Sequence, residues 1–155
     1  MTEEEGMGGP DGPEMATVHL LRRVAVEFGL RQGEFATRNG MHPTDVRALV
    51  CLLDASRSGT PATAGWLGAQ LGLNSAGTTA LIDRLERLGH ITRTRDARDR
   101  RRVLLAVDAR MVERGQEFFG PPLARMADLL RTFDDREAAA VRRFLLEAHA
   151  ALAER

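Results

Sequence analysis

Cysteine is almost missing from this chain. Cys51 stands alone, so no intrachain disulfide can form, and a secreted scaffold stapled by disulfides is excluded. Tyrosine is absent, and six phenylalanines and one tryptophan make up all the aromatics. That is too few for a platform on which single-stranded bases stack. No apolar run approaches the length that spans a bilayer, so no membrane partner is expected. The opening TEEEGMGGPDGPE has no apolar centre and does not read as a signal peptide, so the chain is expected in the cytoplasm. Lysine is missing too: all 22 basic residues are arginine, which reads most plainly as the codon bias of a GC-rich genome. The net charge is zero and by itself neither favours nor excludes nucleic acid.

What is present is unevenly placed. Residues 1–14 hold Glu3, Glu4, Glu5, Asp11 and Glu14 and no basic residue. Residues 91–102 hold six arginines against Asp96 and Asp99, a local basic footprint of the kind a docking loop carries. A hydrophobic content of 43% supports a real core, and 155 residues suit one domain, or one domain with an added oligomerisation element.

Residues 1–13, rich in Gly, Pro and Glu, read as a disordered acidic tail. From about Glu14 to Arg38, Val18, Leu21, Val24, Ala25 and Phe28 recur at helical spacing, and Asn39-Gly40 stops the helix. HPTDVRALVCLLDAS predicts a second helix with Pro43 at its mouth and Val46, Leu49, Val50 and Leu53 on one face. Residues 57–61, RSGTP, read as a loop. Thr63 is the expected N-cap of a short helix carrying Trp66, Leu67 and Leu71 and closed by Gly72. Either Asn74 or Ser75 caps the next helix, held down by Leu81, Ile82, Leu85 and Leu88 and ended by Gly89.

Residues 91–94 and 103–107 then alternate as two antiparallel strands around a projecting loop. Helix returns over 109–133, where Gly120-Pro121-Pro122 is expected to kink or break it. Asp134 and Glu137 form a capping-box start for a last helix with Val141, Phe144, Leu145, Ala148 and Leu152 on one stripe. The wide apolar stripes of the terminal helices point to a helical dimer interface; packing on their own domain is the plainer alternative.

This order is that of a winged helix-turn-helix: mainly α, with a small β-hairpin wing, flanked by N- and C-terminal dimerisation helices. Reading a duplex takes an inserted helix with short side chains and cations on either side of it. Ser75, Ala76, Gly77, Thr79, Ala80 and Arg84 are the expected recognition-helix residues; the small ones allow close approach to base edges. Thr63, Asn74 and Arg87 are candidates for phosphate contact. For Arg84 and Arg87 the alternative is a solvated face paired to Asp83 and Glu86. In the loop, Arg95, Arg98, Arg101 and Arg102 are the expected wing contacts, with Arg98 and Arg101 suited to a narrow minor groove. Asp99 is expected to orient an arginine through a bidentate pair.

The stretches HPTDVRAL, TAGWLGAQLGLNSAGTTALIDRLERLGHITR and DARDRRRVLLAV resemble the MarR family of bacterial winged-helix regulators over roughly residues 15–152. The family's D-x-R-x-x-R wing signature is matched by Asp96, Arg98 and Arg101, and its DRR triplet by Asp99-Arg100-Arg101. The resemblance implies a single domain over 14–155. Within it, about 41–108 is the winged helix-turn-helix, and about 14–40 and 109–155 are dimerisation helices. It also implies a homodimer on a pseudo-palindromic operator, usually a repressor released by a small-molecule effector or an oxidant. Departures are Val107-Asp108-Ala109-Arg110, where the family often has a Thr-Glu-x-Gly stretch, and Trp66, where it usually has a polar residue. Trp66 is expected to be partly buried, the alternative being an exposed contact to DNA or ligand.

Other readings remain on the table. Cys51 could serve a redox-sensing regulator, although its apolar neighbours Val50, Leu52 and Leu53 favour a structural thiol. The module could bind protein alone, but that use does not need Arg98 and Arg101 at the tip. His19, His42, His90 and His149 show no metal-ligand spacing, and no nucleophile motif or phosphate loop occurs, so neither an enzyme nor a cofactor or metal is expected. His42 reads as a helix-entry residue.

Overall fold

The computed structural model describes residues 12–154, which form two compact units divided after Asp108. The predicted tail therefore lies outside the described residues, except for Gly12 and Pro13, the N-cap and first residue of helix α1. The first unit runs α1 (Pro13–Arg38), α2 (Pro43–Ser58), α3 (Ala64–Leu71), α4 (Ser75–Arg87), β1 (Ile91–Arg95) and β2 (Val103–Val107). The second holds α5 (Ala109–Arg131) and α6 (Asp135–Ala153). No described helix is long and apolar enough to cross a membrane.

The helix boundaries follow local chemistry. Proline at the first position of α1 and α2 donates no amide where none is needed. The Asn39 amide nitrogen of the side chain closes α1 by donating to the Phe35 carbonyl at 2.9 Å. The chain leaves α2 through Gly59 at φ 69°, a left-handed conformation that glycine adopts without strain. Residues 57 and 58 are helical rather than part of the loop: the Ser58 hydroxyl bonds the Ala55 carbonyl and the Thr60 hydroxyl, carrying the last turn further. Asp134 and Glu137 cap α6 reciprocally at 2.8 and 2.9 Å, as the sequence predicts.

The core of the first unit gathers Phe35 and Ala36 from the end of α1 with Val46, Leu49, Leu52, Leu67, Leu81, Ile82, Leu85, Ile91 and Leu105. Each of the Phe, Val, Leu and Ile side chains contributes about 1.5–3 kcal/mol by leaving water. On α2 the buried stripe is Asp45, Val46, Ala48, Leu49, Leu52 and Ala55, while Val50 and Leu53 are only half-buried. The predicted face was displaced because α2 is packed by α1, α3 and β2 together, which covers more than one stripe. Leu88, expected to hold α4 down, is 48% exposed, since it follows the last full turn as the C-cap.

The strands pair antiparallel, with Ile91 opposite Val107, Arg93 opposite Leu105 and Arg95 opposite Val103. The Leu105 amide reaches across to the Ala62 carbonyl at 2.8 Å, tying the hairpin to the segment before α3. In the second unit α5 runs unbroken through Pro121 and Pro122. The prolines omit two ladder amides, but the turns on both sides keep theirs, so Gly120-Pro121-Pro122 does not end the helix.

Candidate nucleic-acid interface

Helices α3 and α4 meet at a glycine. A Cβ added at Gly68 would stand 2.5 Å from Thr78 Oγ1, so only glycine permits this approach. Thr78 is itself buried, and its hydroxyl donates to the Asn74 carbonyl at 2.8 Å. Thr63 and Asn74 cap the two helices: Thr63 Oγ1 accepts the Trp66 amide at 3.2 Å, and Asn74 Oδ1 accepts the Gly77 amide at 2.8 Å. Of the two N-cap candidates for α4, Asn74 fills the position. Two of the three residues proposed for phosphate contact, Thr63 and Asn74, thus already spend their side-chain oxygens on helix ends. Trp66 is half-buried on α3.

The predicted recognition residues divide. Ser75, Ala76, Thr79 and Ala80 are exposed on one side of α4, presenting two hydroxyls and three methyls with little bulk. Gly77 is half-buried with its amide used by Asn74. Arg84 is elsewhere engaged. Its Nη2 donates to Asp45 Oδ1 at 2.5 Å and its Nε to Asp45 Oδ2 at 3.3 Å, a forked pair across 39 residues of sequence. Asp45 is almost fully buried and also accepts the His42 amide at 3.0 Å, which makes His42 the helix-entry residue expected of it. The hydrogen bond it donates to Asp45 is the main reason the Arg84 guanidinium holds its proton above the ordinary arginine range. Neither Asp83 nor Glu86 pairs with Arg84; both accept from Arg93 on β1. Arg87 is exposed at the end of α4.

The wing tip, residues 96–102, is ordered by its aspartates. Asp96 Oδ1 accepts the Arg98 amide at 2.9 Å and Asp99 Oδ1 accepts the Arg101 amide at 3.0 Å. Main-chain bonds from Asp96 to the Arg102 carbonyl and from Arg102 to the Asp99 carbonyl close the loop. Asp99 therefore does not orient a guanidinium by a bidentate pair. It caps a turn two residues on, because a short side chain in a tight loop reaches its own backbone first. Arg95 donates to the Arg100 carbonyl at 3.3 Å, and Arg102 lies 3.8 Å from the Asp96 carboxylate. Arg98, Arg100 and Arg101 are exposed, and among the described residues no carboxylate lies within ion-pairing distance of their guanidinium groups. The result is a backbone held from within that presents three cations outward.

Cys51 is half-buried, and burial, with the nearby Asp54 charge, pushes its thiol pKa up, away from the reactive thiolate. Among the described residues no group of three potential metal ligands comes together. Sequence reasoning named Asp96 only as part of the wing signature, without its role in closing the loop, and missed Asp45, Gly68 and Arg93. Only Asp45 had a local signal, as an acidic third residue in a helix opening with proline.

A family model described as the MarR family matches residues 39–102, which span α2 to the wing tip. An uncharacterized HTH-type transcriptional regulator of Bacillus subtilis (strain 168), YcgE, is 33% identical over 124 residues, 80% of this chain and 78% of that protein. A MarR family protein from Bacillus stearothermophilus of known structure superposes with a TM-score of 0.61 at 26% identity, covering 90% of this chain and 95% of its own. The structure of a MepR–DNA complex from S. aureus shares the fold, with a TM-score of 0.55 at 17% identity over 87% of this chain and 98% of that one.

Proposed function

This chain belongs to the MarR family of DNA-binding transcriptional regulators, and we propose that it acts as a homodimeric repressor on a pseudo-palindromic operator, released by a small-molecule effector. The observation that carries this reading is the pairing of a slim, capped helix face with an arginine-tipped wing. Ser75, Ala76, Thr79 and Ala80 enter the major groove, where threonine and alanine methyls meet thymine and the hydroxyls meet base edges. Arg98 and Arg101 enter the flanking minor groove, and Arg87 and the amides at the start of α4 meet phosphate. Arg84 supports the helix from behind rather than reading bases, since its donors are turned to Asp45.

Dimerisation is supported by apolar side chains that the single chain leaves in solvent, among them Leu20, Val26 and Leu30 on α1 and Leu145, Leu146 and Leu152 on α6. Two recognition helices then address successive major grooves roughly 34 Å apart. An effector that favours a different spacing weakens DNA binding by the coupling energy, typically about 1–3 kcal/mol.

Replacing Arg98 and Arg101 by alanine tests the assignment. Both charge-assisted contacts vanish in each protomer, so affinity for the operator drops by several kcal/mol per dimer. Unchanged affinity in a fluorescence titration would remove the wing from the interface.

A further inference from the structure

On β1, Ile91 is buried, and Arg93, two residues on, shares its face of the hairpin and stands opposite the buried Leu105. An arginine there continues the inward face of the wing stem toward α4. Its Nε donates to Glu86 Oε2 at 2.8 Å and its Nη2 to Asp83 Oδ1 at 2.6 Å. The two carboxylates lie three residues apart on α4, so one guanidinium fork grips two points almost a turn apart on the helix. An ammonium, having no such fork, cannot reproduce both bonds in the same geometry.

Resting on the reading of α4 and the wing as the DNA interface, we propose that Arg93 is a positioning residue that locks the wing stem to the recognition helix. The two then meet the duplex as one body. The charges argue for this role. Asp83 and Glu86 are anions on the helix that must approach phosphates, and Arg93 offsets only one of them. Charge alone would favour their removal, whereas a brace requires them. Arg93 itself spends its donors inside the protein. Its contribution to DNA recognition passes through the spacing between the Ser75–Ala80 face and the Arg98–Arg101 tip.

The two roles predict opposite results. Asp83 and Glu86 have 58% and 45% of their side-chain surfaces exposed, so a double Asp83→Ala, Glu86→Ala variant removes the carboxylates from solvent-facing helix positions that alanine suits. Its binding is measured on the duplex that the wild-type protein enriches most from a randomised pool, and on a scrambled duplex of the same composition. The ratio of the two affinities is blind to the fraction of protein folded. As a brace, the cluster gives a double variant that binds scrambled DNA at least as well as wild type but discriminates about tenfold less. Arg93→Gln should show the same lost discrimination, and Arg93→Lys an intermediate value. Tighter binding to both duplexes with an unchanged ratio would overturn the proposal, leaving the carboxylates as repelling surface charges. Should the wild-type chain enrich no duplex, the DNA-interface reading itself fails and takes this inference with it.

Discussion

Between Phe35 and Leu105, aliphatic side chains such as Leu67, Ile82 and Leu85 are withdrawn from water almost completely, whereas beyond Asp108, Leu129, Leu146 and Leu152 stay 64%, 65% and 78% exposed. The two stretches carry the same residue types at the same helical period. In the first, the cover is supplied by neighbouring elements of the chain; along α6 no residue is buried at all. Helix α1 shows both behaviours, with Phe35 and Ala36 buried at its end and Leu20, Val26 and Leu30 in solvent. Periodicity thus reports that a helix has an apolar face, not what lies against it. We take the uncovered faces as the dimer surface and the covered ones as the reading unit.

The sharpest way to break this contrast is to charge the uncovered face. Leu145→Glu with Leu152→Glu places four carboxylates at the proposed twofold interface, where each lost leucine contact would be worth roughly 2 kcal/mol. Sedimentation should show monomer, operator affinity should collapse by orders of magnitude, and the helical circular dichroism should persist. A dimer that survives would mean the face is not the interface.

Within the covered unit, Arg84→Ala leaves Asp45 buried beside apolar neighbours with only the His42 amide for company. The loss of a charge-assisted fork should lower stability by about 2–3 kcal/mol in urea denaturation. A change near zero would reduce the pair to an ordinary surface contact. Gly68→Ala is a smaller intrusion, a single methyl driven against Thr78 between α3 and α4. Overpacking of this size costs about 1–2 kcal/mol, read as a lowered Tm, and Thr78→Ala in the same chain should recover part of it.

These variants also mark where the sequence stopped being informative. Helix caps at Thr63 and Asp134, the α4 cap to within Asn74 or Ser75, the strand limits to within one residue at Arg95, and the exposed side of α4 at Ser75, Ala76, Thr79 and Ala80 were legible, because each depends on residues within one turn. Arg84 was assigned to the major groove from its position on the helix wheel. Its partner lies 39 residues earlier, and no local pattern reveals that pairing. Arg93 was hidden for the same reason: in a run of six arginines nothing local separates the one facing α4 from those facing outward. Asp99 was read as a side-chain partner when its reach is to the backbone. Gly120-Pro121-Pro122 reads from sequence as a kink or a break, and α5 runs on through it without a break because the surrounding turns keep their own hydrogen bonds.

The smallest expected effect concerns Cys51. Its raised pKa keeps it protonated at neutral pH to a greater degree than a free thiol, so native alkylation should be slow and should accelerate only at higher pH than for free cysteine. Unfolding in urea should bring the rate to that of a free thiol. Fast native alkylation at neutral pH would restore the redox switch as a reading of this chain.

The central claim is that the covered unit reads duplex DNA while the uncovered helices hold two copies together. A titration of the chain on operator and scrambled duplexes, at two salt concentrations and with the stoichiometry recorded, tests it most directly. The account predicts two chains per operator, preference over the scrambled duplex, and an affinity that falls steeply as salt displaces the arginine–phosphate contacts. One chain per duplex, or equal and salt-insensitive binding to both, would contradict it.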